Sequence, residues 1–173
     1  MAGELTTALT PEARALSFVD AYGEAFGLGS RRDVALSRTE RDALGIDHVR
    51  MRQVRSGIPV SGGDLIVHMR GNQVLSANGK TLGNFDGVNL EATVTSPAAL
   101  EIARQLATRR FNAPEAQLSE PRLEILNQGL LGGREFPTRL AWFIEARDTG
   151  LREFIWIDAR SGTLLLNFSQ LTH

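Results

Sequence analysis

The sequence has no cysteine, so disulfide bonds, thiol catalysis and cysteine-ligated zinc sites are all excluded. Histidine is scarce, and His48, His68 and His173 are not spaced as a His-Glu-x-x-His motif or as any other helical ligand pair. Neither sign of charge is in excess, since the net charge is −1 and the pI is about 6.3. The composition therefore gives no electrostatic reason to expect nucleic acid or an anionic membrane surface as a partner.

A long apolar run is also missing. The N-terminal segment shows no charged stretch followed by an apolar one, so we expect neither a signal peptide nor a membrane span within this sequence. If the protein is exported, we expect that its signal has been removed. The hydrophobic content of 42% and the charged content of 23% are typical of a globular protein, and 173 residues suffice for one ordinary domain or two small ones.

The first half of the chain predicts a helix followed by a small meander of strands. Residues 10–27 are helical in pattern, with Thr10 as N-cap, Pro11 at the first position and Gly27 as C-cap. The polar segment 30–47 predicts a loop with short turns. The apolar face of the helix repeats at helical spacing and comprises Ala15, Phe18, Val19, Tyr22 and Phe26.

From Asp47 the hydrophobic period changes to two, which indicates antiparallel strands on both sides of a Gly-x-Pro turn. This period places His48 and His68 on the polar face, where they could meet across a hairpin. Glycine-containing pairs predict tight turns at 71–72 and 78–79, with a short strand around Val74. The alternating apolar positions are Val49, Met51, Leu65, Val67 and Met69.

The second half again predicts a helix and then strands. The helix starts at Ser96–Pro97 and continues to about Phe111, and hairpin turns are expected at 148–150 and 159–162. Helices followed by runs of strands indicate an α+β fold, in two small helix-plus-antiparallel-sheet subdomains. The predicted buried helix positions are Leu100, Ile102, Ala103, Leu106 and Ala107, and the predicted strands are RLEIL, TRLAWFIEAR, LREFIWID and TLLLNFSQL.

Candidate chemistry is sparse. A metal site at His48 and His68 would need a third ligand that the sequence does not offer nearby, so we interpret both as surface or strand-pairing histidines and expect no metal and no cofactor. No phosphate-binding loop or nucleophile elbow is present, although a glycosidase-like carboxylate pair is not excluded. The basic row Arg50, Arg52 and Arg55 lacks interleaved aromatics and predicts a solvated or protein-binding face. We expect a binding or folding module with no catalytic residues.

The stretch HVRMRQVRSGIPVSGGDLIVH and its continuation resemble the fungalysin/thermolysin propeptide domain, found in the pro-regions of thermolysin-like zinc metalloproteases. Met51 stands where an aromatic residue is usual in that family. The matching residues are Gly45, His48, Arg50, Gln53, Gly57, Ile58, Pro59, Val60, Gly62, Gly63, Leu65, Val67, His68, Gly71, Val74, Ser76, Asn78 and Gly79.

The second half resembles a PepSY domain, which has a cystatin-like fold and typically follows in such pro-regions. The features that carry this resemblance are the helix from Pro97, the strand at 140–144 and the segment Trp156 to Gly162, which includes Asp158. We therefore expect a propeptide domain with an N-terminal helix over residues 1–91 and a PepSY domain with a C-terminal tail over residues 92–173.

The resemblance implies a secreted, extracellular propeptide that helps its protease to fold and then inhibits it, with the cognate zinc metalloprotease catalytic domain as partner. It also implies that the tail, Gln170, Leu171, Thr172 and His173, lies in the active-site cleft. The polar-face residues His48 and Arg50 are expected to hold the domain to its neighbours. A stand-alone PepSY-type binding module at the cell surface is the alternative, a small-molecule enzyme is a third reading, and an exposed sheet edge predicts possible self-association.

Overall fold

The computed structural model describes residues 9–132 and 137–170, and it has the predicted α+β architecture. The chain divides into a first unit that ends at Asn84 and a second unit that begins at Phe85, whereas the sequence predicts the boundary after residue 91. In chain order the described elements are α1 (Pro11–Tyr22), β1 (Val34–Arg41), β2 (Asp47–Arg55), β3 (Ile58–Arg70), β4 (Gln73–Lys80), α2 (Ser96–Arg109), β5 (Gln117–Leu118), β6 (Arg122–Leu126), β7 (Arg139–Asp148), β8 (Leu151–Asp158) and β9 (Leu164–Ser169).

Helix α1 begins as predicted, because the Thr10 hydroxyl accepts a hydrogen bond from the N–H of Ala13 at 3.2 Å and Pro11 occupies the first turn. Its end differs from the prediction. The α-helix stops at Tyr22 and a 3-10 helix, Gly23–Phe26, continues to Gly27, whose φ of +66° closes the segment. Tyr22 is the last residue of α1 and is 63% exposed, so its prediction as a core residue is wrong.

The prediction of a loop over residues 30–47 is wrong for its middle part. A 3-10 turn at Arg31–Asp33 leads into β1, which pairs antiparallel with β2 from Val34↔Gln53 to Arg41↔Asp47. Only the first of its eight residues is buried, because β1 lies at the end of the strand order with both faces largely open to solvent. Such a strand needs no alternation of apolar and polar residues, so its polar sequence does not identify it as a strand.

The predicted turn at Asn78-Gly79 is also wrong. Both residues lie inside β4, which pairs with β3 from Arg70↔Gln73 to Asp64↔Lys80. A Cβ atom at Gly79 would stand 2.1 Å from the backbone oxygen of Asp64. The glycine therefore permits a close approach of two strands, which the sequence does not distinguish from a turn.

The core of the first unit lies between α1 and one face of the sheet formed by β1, β2, β3 and β4. All five alternating apolar positions predicted for β2 and β3 are buried there, together with Ala15 and Val19 of α1. The strand period then sends His48, Arg50 and His68 to the opposite face. The position of these polar side chains thus follows from the burial of their neighbours.

The second unit packs α2 against β7 and β8 through small residues, Ala99, Ala103 and Ala107, spaced four apart. Of these, Ala99 was not among the predicted buried positions, and the helix ends at Arg109 instead of about Phe111. The predicted strands β6, β7, β8 and β9 are confirmed and pair antiparallel in that order, with β5 beside the far end of β7. Within the described ranges, neither helix is long and apolar enough to cross a membrane.

Candidate functional site

The β2–β3 hairpin of the first unit carries most of the motif residues, and its turn explains two of them. Ser56 and Gly57 have φ values of +50° and +79°, the positive angles that a two-residue type I′ turn needs at both central positions. Pro59 follows at the start of β3 and pairs with Val54. The Gly-Ile-Pro part of the motif therefore forms the turn that reverses the chain between β2 and β3.

Gln53 explains the Gly-Gly part. It is 1% exposed, its Nε2 donates to the Leu82 carbonyl at 2.7 Å, and its Oε1 accepts from the Leu82 N–H at 2.7 Å. Gly62 has a φ of +74°, and a Cβ at Gly63 would lie 3.0 Å from both the Cβ and the Oε1 of Gln53. Gln53 therefore binds the segment after β4 to the sheet, Gly63 leaves room for the Gln53 side chain, and Gly62 allows the left-handed backbone beside it.

A row of polar residues crosses the face of the sheet opposite α1. The strand register places Glu40, His48, His68 and Ser76 side by side on β1, β2, β3 and β4. The Nδ1 atoms of the two histidines are 2.6 Å apart, and their rings meet edge to face with centroids 4.8 Å apart. The predicted meeting of the two histidines across a hairpin is confirmed.

The outer nitrogen of each imidazole is held by a partner of its own. His48 Nε2 lies 3.1 Å from Asp42 Oδ2, and His68 Nε2 lies 2.6 Å from Asn78 Oδ1. The N–H of Ile46, followed by the imidazole of His48, holds the pKa of the Asp42 carboxyl below its ordinary value. A continuous chain of polar contacts thus runs from Asp42 through both histidines to Asn78.

Ion pairs surround this chain. Arg50 Nη1 lies 3.1 Å from Asp64 Oδ2, and Arg38 Nη2 lies 2.8 Å from Glu40 Oε2. Arg38, Glu40 and Arg50 line a groove of about 220 Å³ together with Ile66 and the two histidines. Because Arg50 is paired with a carboxylate, it does not contribute an uncompensated positive charge to this face. Exposed pairs of this kind contribute little to stability and can exchange partners.

The described part of the chain has no group of three or more His, Asp and Glu side chains placed to hold a metal ion. In the second unit, a cavity of about 440 Å³ is lined by one carboxylate, Asp158, beside Arg139 and by otherwise uncharged side chains. The converging carboxylates or histidines that would favour the small-molecule enzyme reading are absent from that lining.

Asp158 and Gly162 build the β8–β9 turn. Asp158 Oδ1 accepts hydrogen bonds from the N–H of Arg160 at 2.8 Å and of Ser161 at 2.9 Å, and Gly162 takes a φ of +75°. Burial alone would raise the pKa of the Asp158 carboxyl, but these two hydrogen bonds and the guanidinium of Arg139 outweigh it and hold the pKa below its ordinary value. In the PepSY-like motif the Asp158 carboxylate therefore stabilises the β8–β9 turn.

Replacing Asp158 by alanine is expected to lower the free energy of unfolding by about 2 kcal/mol, because two backbone N–H groups lose a charged acceptor. Since the folded state depresses the pKa, the stabilisation is complete above roughly pH 4 and is lost as the pH falls through the folded pKa. Asp158→Asn keeps an acceptor but not the charge, so it should lower the free energy of unfolding less than Asp158→Ala does. The free energy of unfolding of Asp158→Asn should also fall less than that of the wild type as the pH becomes acid. Urea unfolding followed by tryptophan fluorescence between neutral and acid pH checks both; identical acid profiles for wild type and Asp158→Asn would contradict the assignment.

The predicted inhibitory tail is described only at its first residue. Gln170 continues the line of β9, and its N–H donates to the Arg152 carbonyl at 2.7 Å. Leu171, Thr172 and His173 lie outside the described residues. The structure thus groups the predicted site residues into a hairpin set in the first unit and a turn plus Gln170 in the second.

Three partners on the polar face were not singled out as site residues from the sequence. Asp64 pairs with Arg50, while Asp42 and Asn78 anchor the two histidines. Asp42 has one local signal, since its Oδ1 accepts hydrogen bonds from the N–H groups of Leu44 and Ile46. A turn closed in this way favours Asp at its first position. The contact of Asn78 depends on the β3–β4 register and has no local signal.

Residues 33–81, which run from the start of β1 to the end of β4, match the family described as Fungalysin/Thermolysin Propeptide Motif. The chain is 30% identical over 168 residues to thermostable neutral protease NprT of Geobacillus stearothermophilus, covering 89% of this chain and 29% of that protein. It is also 30% identical over 171 residues to thermolysin of Alicyclobacillus acidocaldarius subsp. acidocaldarius and to thermolysin of Bacillus caldolyticus, covering 93% of this chain and 30% of each. The chain thus spans less than a third of the length of these curated relatives.

Two solved structures are similar to the chain as well. One is the Bacillus megaterium YpeB C-terminal domain, with 12% identity and a TM-score of 0.49, covering 92% of this chain and 63% of that chain. The other is the YpmB protein from Bacillus subtilis, with 16% identity and a TM-score of 0.31, covering 86% of this chain and 97% of that chain.

Proposed function

Because residues 33–81 carry the fungalysin/thermolysin propeptide motif and most of the chain is similar to thermolysin-type proteases, we propose that it is the pro-region of a secreted thermolysin-like zinc metalloprotease. In this role it inhibits the catalytic domain and assists its folding. The observation that carries the proposal is the extent of the similarity, which covers 93% of this chain in the case of thermolysin and so includes both units.

The architecture supports a partner-binding role. Each unit is a helix on an antiparallel sheet, which is the arrangement that the propeptide and PepSY resemblances imply. The motif residues Gln53 and Gly63 secure the sheet internally, so they preserve the shape of a surface. A preformed surface reduces the ordering cost of binding, as an inhibitor or a folding template requires.

The inhibitory element of this proposal is the segment Gln170 to His173. The N–H of Gln170, the residue after β9, still donates to the Arg152 carbonyl at 2.7 Å, so the last described residue remains bound to β8. A catalytic zinc keeps one coordination position open for substrate or water. A peptide that lies along the cleft as an added strand would cover that position and gain main-chain hydrogen bonds.

The direct test adds the purified chain to mature thermolysin, one of the relatives above, and measures peptide hydrolysis and the yield of active enzyme refolded from denaturant. We expect concentration-dependent inhibition and a higher refolding yield. If a metalloprotease domain follows in the same reading frame, that domain is the better probe. Absence of both effects would favour the stand-alone binding module.

Deleting Leu171, Thr172 and His173 is expected to weaken inhibition about tenfold or more, because the truncated chain no longer fills the cleft beside the zinc. The inhibition constant of the truncated chain is compared with that of the full chain, and thermal unfolding confirms that both are equally folded. A Tyr22→Ala variant, altered at an exposed position of α1, serves as the matched control and should inhibit normally. Equal inhibition by the truncated and full chains would rule out the cleft-tail mechanism.

A further inference from the structure

We propose that the facing imidazoles of His48 and His68 form a pH-sensitive latch on the polar face of the first unit, which is closed with one hydrogen between the two rings and opens when both rings are protonated. The two residues are directly opposite each other on β2 and β3, and their Nδ1 atoms lie 2.6 Å apart. This inference goes beyond the proposed propeptide function and does not depend on it, because it concerns the chain by itself.

The latch connects side chains from the β1–β2 turn to β4. His48 Nε2 lies 3.1 Å from Asp42 Oδ2 in the turn, and His68 Nε2 lies 2.6 Å from Asn78 Oδ1 on β4. The contact between the two Nδ1 atoms is the link in the middle of this chain of side chains. Loss of that contact therefore divides the chain into an Asp42–His48 part and a His68–Asn78 part.

The number of hydrogens on the two inner nitrogens decides whether the contact can exist. A neutral imidazole carries one N–H and one lone pair, and a protonated imidazole carries two N–H groups. With a single hydrogen between the Nδ1 atoms, one nitrogen donates and the other accepts, and 2.6 Å is the separation of a short hydrogen bond. With a hydrogen on both Nδ1 atoms, two N–H groups and two positive charges face each other, so the rings must separate.

The outer partners allow the closed latch to be neutral or to carry one positive charge. The Asp42 carboxylate can only accept, so His48 Nε2 carries a hydrogen and His48 Nδ1 keeps a lone pair. The Asn78 amide has both a donor and an acceptor, so His68 can point its Nδ1–H at that lone pair whether or not its Nε2 is also protonated. The first added proton therefore leaves the contact intact, and only the second one breaks it.

The polar face carries more positive than negative charge, which makes the second proton more costly. With neutral imidazoles its net charge is +2, and a positive face repels a further positive charge. The strand register and the β1–β2 turn place five cationic side chains and three carboxylates on this face with the pair: Arg38, Arg50, Arg52, Arg70, Lys80, Glu40, Asp42 and Asp64.

The carboxylates around the pair can compensate one positive charge but not two. Asp42 contacts His48 directly, and among the described residues it is the only carboxylate within 4.0 Å of a ring nitrogen of either histidine. The other nearby carboxylates, including Asp47 on the opposite face of the sheet, are each bound by an arginine, in the pairs Glu40–Arg38, Asp64–Arg50 and Asp47–Arg41. A second charge on the pair therefore remains uncompensated.

The latch makes the stability of the first unit depend on pH in a defined direction. In an unfolded chain histidines take up their protons independently, at about pH 6.5. The folded pair accepts one proton and resists the second, so unfolding takes up protons in mild acid, and stability that is present at neutral pH is lost as the pH falls. Carboxylates titrate at about pH 4, so the interval from about pH 7.5 to pH 5 separates this effect from that of Asp158.

The test compares urea unfolding at pH 7.5 and pH 5, followed by far-UV circular dichroism, for the full chain and for His68→Asn. In the variant a neutral amide faces His48, so two charged rings cannot meet. Between these pH values we expect the unfolding equilibrium constant of the wild type to rise about tenfold more than that of His68→Asn, because two unit charges a few ångströms apart repel by about that amount. Ser76→Ala, at an exposed position of the same row, and His173→Ala should respond to pH as the wild type does.

Equal acid losses in the wild type and His68→Asn, or a His173→Ala chain that no longer responds to pH, would overturn the latch. Imidazole ¹⁵N spectra and ring-to-ring nuclear Overhauser effects of the wild-type chain test it without any variant. The signals of His48 and His68 should change together as the pH is lowered, and their ring contact should be lost once both are protonated. Rings that titrate independently, or that stay in contact when both are protonated, would also overturn it. The outcome is independent of inhibition, because no protease is present in these measurements.

Discussion

Replacement of Gln53 by leucine is expected to destabilise the first unit by about 2–4 kcal/mol, because one side chain satisfies two backbone groups of Leu82. Leucine fills a similar volume but offers neither a donor nor an acceptor at this buried position. Both the N–H and the carbonyl of Leu82 would then have to find water or remain unpaired. The effect is large because the unmade hydrogen bonds, and not a lost apolar contact, determine the cost.

Urea unfolding followed by far-UV circular dichroism, together with amide exchange of β2 and β3, measures this loss. The matched control is Gln73→Leu, since Gln73 is an exposed glutamine of β4 in the same unit. Gln53→Glu should also destabilise the unit, because it keeps an acceptor for the Leu82 N–H but turns a carboxylate towards the Leu82 carbonyl. If Gln53→Leu were as stable as the Gln73→Leu control, the hydrogen bonds of the Gln53 side-chain amide to Leu82 would not stabilise the first unit.

Replacement of Gly79 by alanine is expected to cost about 3 kcal/mol, at the upper end of the penalty for overpacking. The added Cβ would stand 2.1 Å from the Asp64 backbone oxygen and 2.9 Å from the Cα of Leu65. These are backbone atoms that no rotamer change can move, so β4 must separate from β3 near this pair. The contact of Asn78 with His68 lies one residue away and should be lost as well.

The stability of Gly79→Ala is compared with that of Ser76→Ala, which alters an exposed position of the same strand. Amide exchange should show faster exchange in β4 and in the facing part of β3 for the first variant only. If Gly79→Ala unfolds at the same urea concentration as Ser76→Ala, the close approach of the two strands is not required.

The motif residues fall into two groups with different roles. Gln53, Gly63 and Gly79 are needed for the shape of the sheet, while His48 and Arg50 lie on its surface with partners of their own. Loss of a shape residue should reduce folding and every activity together. That His48 and Arg50 hold the domain to its neighbours remains a prediction.

The helix starts could be predicted from the sequence, whereas β1 and the role of Asn78-Gly79 could not. Both helices were predicted from Thr10–Pro11 and Ser96–Pro97, because capping depends on residues that are close in the chain. The predicted N-cap of α2 is wrong by one residue, since the Thr95 hydroxyl and not that of Ser96 accepts from the N–H of Ala98. The strand β1 was missed, because an edge strand exposed on both faces shows no alternation. The Asn78-Gly79 pair was assigned to a turn, because the local preference of glycine is the same whether it serves a turn or a close contact.

The sequence by itself determined the α+β class, the helix starts, the buried face of β2 and β3 and the resemblance to a propeptide, since periodicity, capping and motif order are local properties of the chain. Only the tertiary structure decided that Gln53 serves Leu82, that Asp42 and Asn78 anchor the histidine pair and that Glu40 stands beside it. Those contacts depend on strand register, and a shift of one residue would send every one of these side chains to the other face. A pattern of residue types along the chain does not specify that register, because it is set by the packing of the sheet as a whole.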